Sequence, residues 1–122
     1  MKVLIVDDTK ILRKMLMDIL IEFCNVKEDN IFMATDGLQG VSEYKRLRPD
    51  VVFLDILMPN LNGKEAVKEI IQINPDANII MCTSDGASGV VKECISAGAK
   101  DYLVKPLMPQ RVSEAVKKVL GE

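Results

Sequence analysis

Four apolar runs in this chain each stop at a polar side chain suited to phosphoryl chemistry. Val3-Leu4-Ile5-Val6 ends at Asp7-Asp8, Val51-Val52-Phe53-Leu54 at Asp55, Ile79-Ile80-Met81-Cys82 at Thr83, and Tyr102-Leu103-Val104 at Lys105. Such runs alternate with segments of helical period, the pattern of repeated β-α units and a parallel sheet. Parallel strands end on one edge. Four distant segments would therefore bring three carboxylates, a hydroxyl and an ammonium around one crevice.

Five strands and five helices can be counted. The first helix, from about residue 9 to 23, repeats apolar residues at Leu12, Met15, Leu16, Ile19, Leu20 and Phe23, which predicts one side packed on the sheet. Asp36 with Gln39, and Asn62 with Glu65, have the spacing of N-caps for the second and third helices. Pro109 suits the first turn of the last helix, whose inner face reads Val112, Ala115, Val116, Val119 and Leu120. The fourth helix is entered through Ser84-Asp85-Gly86-Ala87-Ser88-Gly89, where two glycines weaken helix formation and make this stretch the candidate for motion. Right-handed crossovers onto both faces require the winding to reverse at a central strand. The second run, Phe32-Met33-Ala34-Thr35, lacks a distinctive polar end and belongs at the far edge. The expected fold is a flavodoxin-like, doubly wound parallel sheet of order 2-1-3-4-5.

At 122 residues and 48% hydrophobic, the chain suits one domain, residues 1–122, and argues against disorder. Sixteen basic against eighteen acidic residues give a net charge of -2, with no Lys/Arg run of the kind direct nucleic-acid binding needs. No export signal or membrane-length apolar span is evident, so a cytoplasmic protein is expected. Cys24, Cys82 and Cys94 are odd in number, lack C-x-x-C spacing and have no His to join them, which argues against zinc. Cys82 alternates with Thr83 and should face away from it, and Cys94 falls in a Val91, Cys94, Ile95, Gly98 stripe that reads as core.

Asp7, Asp8 and Asp55 gathered at one edge would repel one another by about 4 kcal/mol per pair at about 4 Å near a protein surface. Lys105 offers one compensating charge. The remaining donors are hard oxygens, which suit Mg²⁺ with several waters retained. For any one of these acids, capping of the following helix is an equally good account.

Val6-Asp7-Asp8, the stretch Asp55-Ile56-Leu57-Met58-Pro59-Asn60-Leu61-Asn62-Gly63, Thr83-Ser84, Ala97-Gly98-Ala99-Lys100-Asp101-Tyr102 and Lys105-Pro106 occur in that order along the chain. In this order the sequence resembles a receiver domain of a two-component response regulator, of the stand-alone CheY type, over its whole length. The resemblance implies that Asp55 accepts a phosphoryl group from a histidine kinase as an aspartyl phosphate. It implies Mg²⁺ bound by Asp8, Asp55 and the Leu57 backbone carbonyl, with Asp7 acting through water. Lys105 would pair with phosphoryl oxygens and the Thr83 hydroxyl would bond one of them. Thr83 and Tyr102 would form the switch, Tyr102 turning inward to alter the face of the fourth helix, fifth strand and fifth helix, although a strand Tyr is also often a plain core residue. Lys105-Pro106 resembles the family's cis peptide. Leu57 and Asp85 stand at variable positions resembling those that tune phosphate lifetime.

The implied function is a monomeric signalling protein, not an enzyme acting on other substrates, that docks on a target protein such as the flagellar motor switch. A phosphorelay intermediate serving a histidine phosphotransferase, and a degenerate receiver acting only as a binding module, are the alternatives. A haloacid-dehalogenase phosphatase would need a general-acid Asp two residues after its nucleophile, where Leu57 and Thr9 stand. A flavin carrier would need a phosphate-cradling loop where Asp7-Asp8 would repel the phosphate.

Overall fold

Alternate residues of the central strands divide between two cores, and this division dictates the architecture. The computed structural model describes residues 1–86 and 89–122. Its elements are β1 (Val3–Val6), α1 (Lys10–Phe23), a 3-10 turn (Glu28–Asn30), β2 (Ile31–Ala34), α2 (Gly37–Leu47), β3 (Val51–Asp55), α3 (Gly63–Ile73), β4 (Ile79–Thr83), α4 (Gly89–Ala97), β5 (Asp101–Val104) and α5 (Pro109–Val119). All strands pair in parallel, in the order β2-β1-β3-β4-β5. The flavodoxin-like order expected from the crossover rules is the one observed.

Leu4, Val6, Val52, Leu54, Ile79 and Met81 face α2, α3 and α4, meeting Val41, Tyr44, Val67, Ile70, Val91 and Cys94. Val3, Ile5, Val51, Phe53, Ile80, Cys82 and Leu103 face the other way, onto Leu16, Ile19 and Leu20 of α1 and Val112, Ala115 and Val116 of α5. Period-two alternation thus loads both faces, as a sheet covered by helices on both sides demands. Burying each large aliphatic side chain contributes roughly 1.5–3 kcal/mol. Cys82 and Cys94 are buried as expected.

Two helical stripes are narrower than their periodicity suggests. In α1, Met15 and Phe23 are 42% and 55% exposed, while Met17 packs against the core instead. In α4, Val91 and Cys94 are buried but Ile95, about 100° around the helix from Cys94, is exposed. A helix touching a sheet on one side can bury only its central rows. The other helix expectations hold: Asp36 accepts from Gln39 N–H at 2.8 Å, Asn62 accepts from Glu65 N–H at 3.0 Å, and Pro109 opens α5. Of the stretch 84–89 expected to move, Ala87 and Ser88 lie outside the described residues.

Gly63 is where helix packing meets the site. Its N–H donates to Ile56 O at 2.8 Å, and a Cβ there would lie 2.6 Å from Asp55 O and 2.7 Å from Ile56 Cα. Backbone on both sides cannot yield as a rotamer would. Gly63→Ala is therefore expected to cost about 2 kcal/mol, read as a lower urea midpoint at unchanged slope. An unaltered midpoint would show that the start of α3 can shift away from Asp55.

Candidate functional site

The sheet's hydrogen-bond ladder runs one rung past the strands and carries the polar residues with it. Asp7 N–H donates to Ala34 O at 3.1 Å, Ile56 N–H to Cys82 O at 3.2 Å, and Lys105 N–H to Thr83 O at 2.8 Å. Backbone pairing thereby aligns Asp7, Asp55, Thr83 and Lys105 along the C-terminal edge. Asp7, Asp55 and Thr83 are three of the four buried polar residues among those described. Each of Asp7, Asp8 and Asp55 offers a carboxylate oxygen, and the three oxygens lie within 4.8 Å of one another.

Lys105 reaches over this cluster, its Nζ 3.3 Å from Asp55 Oδ1 and 3.5 Å from Asp7 Oδ2. The Lys105–Pro106 peptide is cis. Burial pushes the Asp55 carboxyl above the ordinary range, Asp7 adds to the rise, and Lys105 opposes it. For Lys105, burial alone would lower the pKa, but Asp55 and Asp7 outweigh it and hold the ammonium above its usual value. The Cys82 thiol is pushed up to about 12 by burial, so it offers no thiolate to the site.

Thr83 lines a depression of about 370 Å³ with Asp55, Leu57, Asp85, Val90 and Lys105. Its hydroxyl is held by its own loop, accepting from Asp85 N–H at 3.1 Å and lying 3.2 Å from Asp85 O, to which it donates. Leu57 is 81% exposed at the rim. Tyr102 points outward and is 36% exposed, beside Gly86. The edge therefore brings together Asp7, Asp8, Asp55 and Lys105, borders them with Thr83, Leu57 and Asp85, and holds Tyr102 outside.

Arg13 joins this group without having been expected. Its Nη1 donates to the Asp7 carbonyl at 2.8 Å, tying α1 to the loop that bears both N-terminal carboxylates. The signal was available: residues 13, 16 and 20 share one side of a helix, so a lone Arg stands in an apolar row. Asp7 also orders its own loop, Oδ1 accepting from Thr9 N–H two residues on at 2.8 Å. Its Oδ2 stays turned to the crevice and Lys105.

A doubly wound domain with clustered carboxylates and an opposing lysine at its switch point has the architecture of a two-component signalling receiver. The family model described as response regulator receiver domain matches residues 3–117, and the chain belongs to that family. Within it the likeness is to the CheY type. The chain is 48% identical over 118 residues to chemotaxis protein CheY of Thermotoga maritima, covering 97% of this chain and 96% of that protein. It is 46% identical over 122 residues to chemotaxis protein CheY of Bacillus subtilis, covering 98% of each. A chain of the CheX–CheY–BeF3–Mg²⁺ complex from Borrelia burgdorferi matches with a TM-score of 0.86 and 33% identity, over 98% of this chain and 88% of that one. This places the chain among signalling proteins rather than enzymes in the usual sense. Among the described residues no helix is long and apolar enough to cross a membrane.

A carboxyl raised by folding binds its proton more tightly in the native state, so its stability contribution is lost as pH rises from the unfolded pKa through the folded one. In metal-free protein at pH 7, Asp55→Asn is thus expected to raise Tm by about 2–4 °C. The gain should vanish on titration below the ordinary carboxylate range. A variant less stable than wild type at pH 7 would mean that the Lys105 attraction outweighs burial and Asp7.

Proposed function

We propose that the chain is a single receiver domain, residues 1–122, that takes a phosphoryl group from a histidine kinase onto Asp55 and signals by docking on a second protein. The observation that carries this reading is Lys105 Nζ at 3.3 Å from Asp55 Oδ1, inside a cluster of carboxylates held at one sheet edge. An Asp55 oxygen attacks phosphorus, forming a P–O bond as the P–N bond to the donor imidazole breaks. The imidazole leaves with the electron pair and regains its proton. Lys105 already faces the attacking carboxylate and is placed to pair with the transferring oxygens.

The donor set fits Mg²⁺: three carboxylates within reach of one ion, no His in the chain and no Cys in the cluster among the described residues, and more negative charge than Lys105 neutralises. Asp8, Asp55 and the Leu57 carbonyl would hold it, with Asp7 acting through water. When bound, Mg²⁺ offsets carboxylate repulsion and charge on the transferring group. A protein whose complex includes both BeF3 and Mg²⁺ shares this fold, which supports the assignment.

Switching follows from the partners of Thr83. Its hydroxyl must give up its donation to Asp85 O to donate to a new phosphoryl oxygen, and that exchange draws on the loop of Ser84, Asp85 and Gly86. Tyr102, now outward, turns into the space so opened. The surface that changes is the α4-β5-α5 face, where Val90, Tyr102, Val104 and Met108 are exposed. A partner that buries apolar side chains fits this face. The CheY relatives favour a chemotaxis messenger in the cytoplasm, acting on a target such as the flagellar motor switch, over a phosphorelay intermediate.

Intact mass after acetyl phosphate and Mg²⁺ is expected to show one phosphoryl gain in wild type, none with chelator and none in Asp55→Asn. Lys105→Ala should slow the gain about 100-fold, the loss typical of removing one group that stabilises transition-state charge. Phosphorylation persisting in Asp55→Asn would overturn the assignment. Tyr102→Ala should weaken phosphorylation-dependent target binding while leaving the mass gain intact, and Asp85→Ala should change the rate of phosphate loss. Unaffected docking would remove Tyr102 from the switch, and unchanged decay would remove Asp85 from control of lifetime.

A further inference from the structure

The loop between β3 and α3 is closed at its neck by Gly63 N–H bonding Ile56 O. Its far end is tied to a different element. Asn60 Nδ2 donates to Asp36 Oδ2 at 2.8 Å, while the other oxygen of Asp36 caps α2 through Gln39 N–H. Bonds from Gln39 N–H and then Asn60 hold the Asp36 carboxyl below the usual range, consistent with both oxygens being engaged. Asn60 itself has φ 68°, and Leu61 N–H donates to Pro59 O at 2.8 Å, closing a three-residue turn about it. Non-glycine residues adopt that backbone at a cost and keep it where surroundings enforce it. Gly37 completes the contact, because a Cβ there would overlap the Leu61 carbonyl oxygen. The first residue of α2 and the tip of the loop are thus in direct backbone apposition.

Between neck and tip lies Leu57, whose carbonyl is a proposed cation ligand. We propose that Asp36 and Asn60 are positioning residues for the cation site, acting through the loop of residues 57–62 and touching neither the cation nor Asp55. The inference rests on the Mg²⁺ site of the preceding section. Asp8 and Asp55 are placed by strand ends and need no such aid. A ligand from loop backbone does, since groups that orient ligands set metal affinity as the ligands themselves do. The competing account is that Met58 and Leu61, which pack partly buried on the core, hold the loop unaided.

Isothermal titration of MgCl₂ into wild type, Asn60→Gly, Asp36→Ser and the double variant separates the two accounts. Glycine adopts the left-handed backbone without strain while removing the Asn60 side chain and its amide, and serine keeps the helix cap but is too short to reach Asn60. Each single variant is expected to raise the Mg²⁺ Kd about three- to tenfold, somewhat less than loss of a group bonded directly to a ligand. The double variant should be no weaker than the weaker single variant, and metal-free urea midpoints should stay near wild type. Singles that bind like wild type, a shift in only one, or effects that add in the double variant would overturn the proposal and leave the site reading intact. Wild type that binds no Mg²⁺ would overturn both.

Discussion

Everything at the functional edge depends on like charge being held together. Asp7 and Asp55 are buried beside each other with Asp8 at the rim, an arrangement that raises the Asp55 pKa and would spread if the backbone allowed it. It does not, because β1 and β3 are paired neighbours covered on both faces, and each is held one rung beyond its end, β1 to β2 through Asp7 N–H and β3 to β4 through Ile56 N–H. The hydrophobic core thus holds an electrostatically unfavourable cluster in place, and the cluster retains a demand for positive charge that one lysine leaves unmet. The proposed affinity for a cation, and for an anion-bearing donor that comes with one, would be a consequence of that repulsion.

The supports differ in kind, and the difference would suit the proposed switch. Asp7 and Asp55 sit at the ends of fully buried strands, while Arg13 braces the Asp7 carbonyl from α1. Thr83 is equally buried, yet among the described residues its hydroxyl is bonded by the backbone of Asp85, two residues on. A new acceptor near Asp55 competes directly with that local bond, and Tyr102 lies beside the same loop. The rigid half of the site would thereby hold the phosphoryl group while the yielding half reports it, as local stability variation within a fold permits.

The outward face of β5 continues this logic. Asp101 and Leu103 point inward while Tyr102 and Val104 point out, and Arg111 Nη2 donates to the Tyr102 carbonyl at 3.2 Å, fixing the strand against α5. A tyrosine on a pinned strand can respond to the neighbouring loop by rotation of its side chain while the backbone stays. In the proposed switch the half-exposed apolar group around it would change shape without any change in fold.

Read alone, the sequence was sufficient for the strand order, the two-sided core and the polar residues that gather at the C-terminal edge of the sheet. Short apolar runs ending in polar residues leave few chain paths open, and parallel pairing puts their ends together. It overestimated what α1 and α4 bury, placing Met15, Phe23 and Ile95 in the core, because periodicity gives the direction a side chain faces but not how wide its covering is. It also passed over Arg13, although helical spacing put it in the apolar row. Tertiary structure alone decided the rest: that Lys105 reaches both Asp7 and Asp55, that the Thr83 hydroxyl is bound by its own loop, and that Asn60 is tied to Asp36 across 24 positions. Patterning is a local property of the chain, whereas these contacts depend on how far separate elements approach, and that distance is set only when the whole core closes.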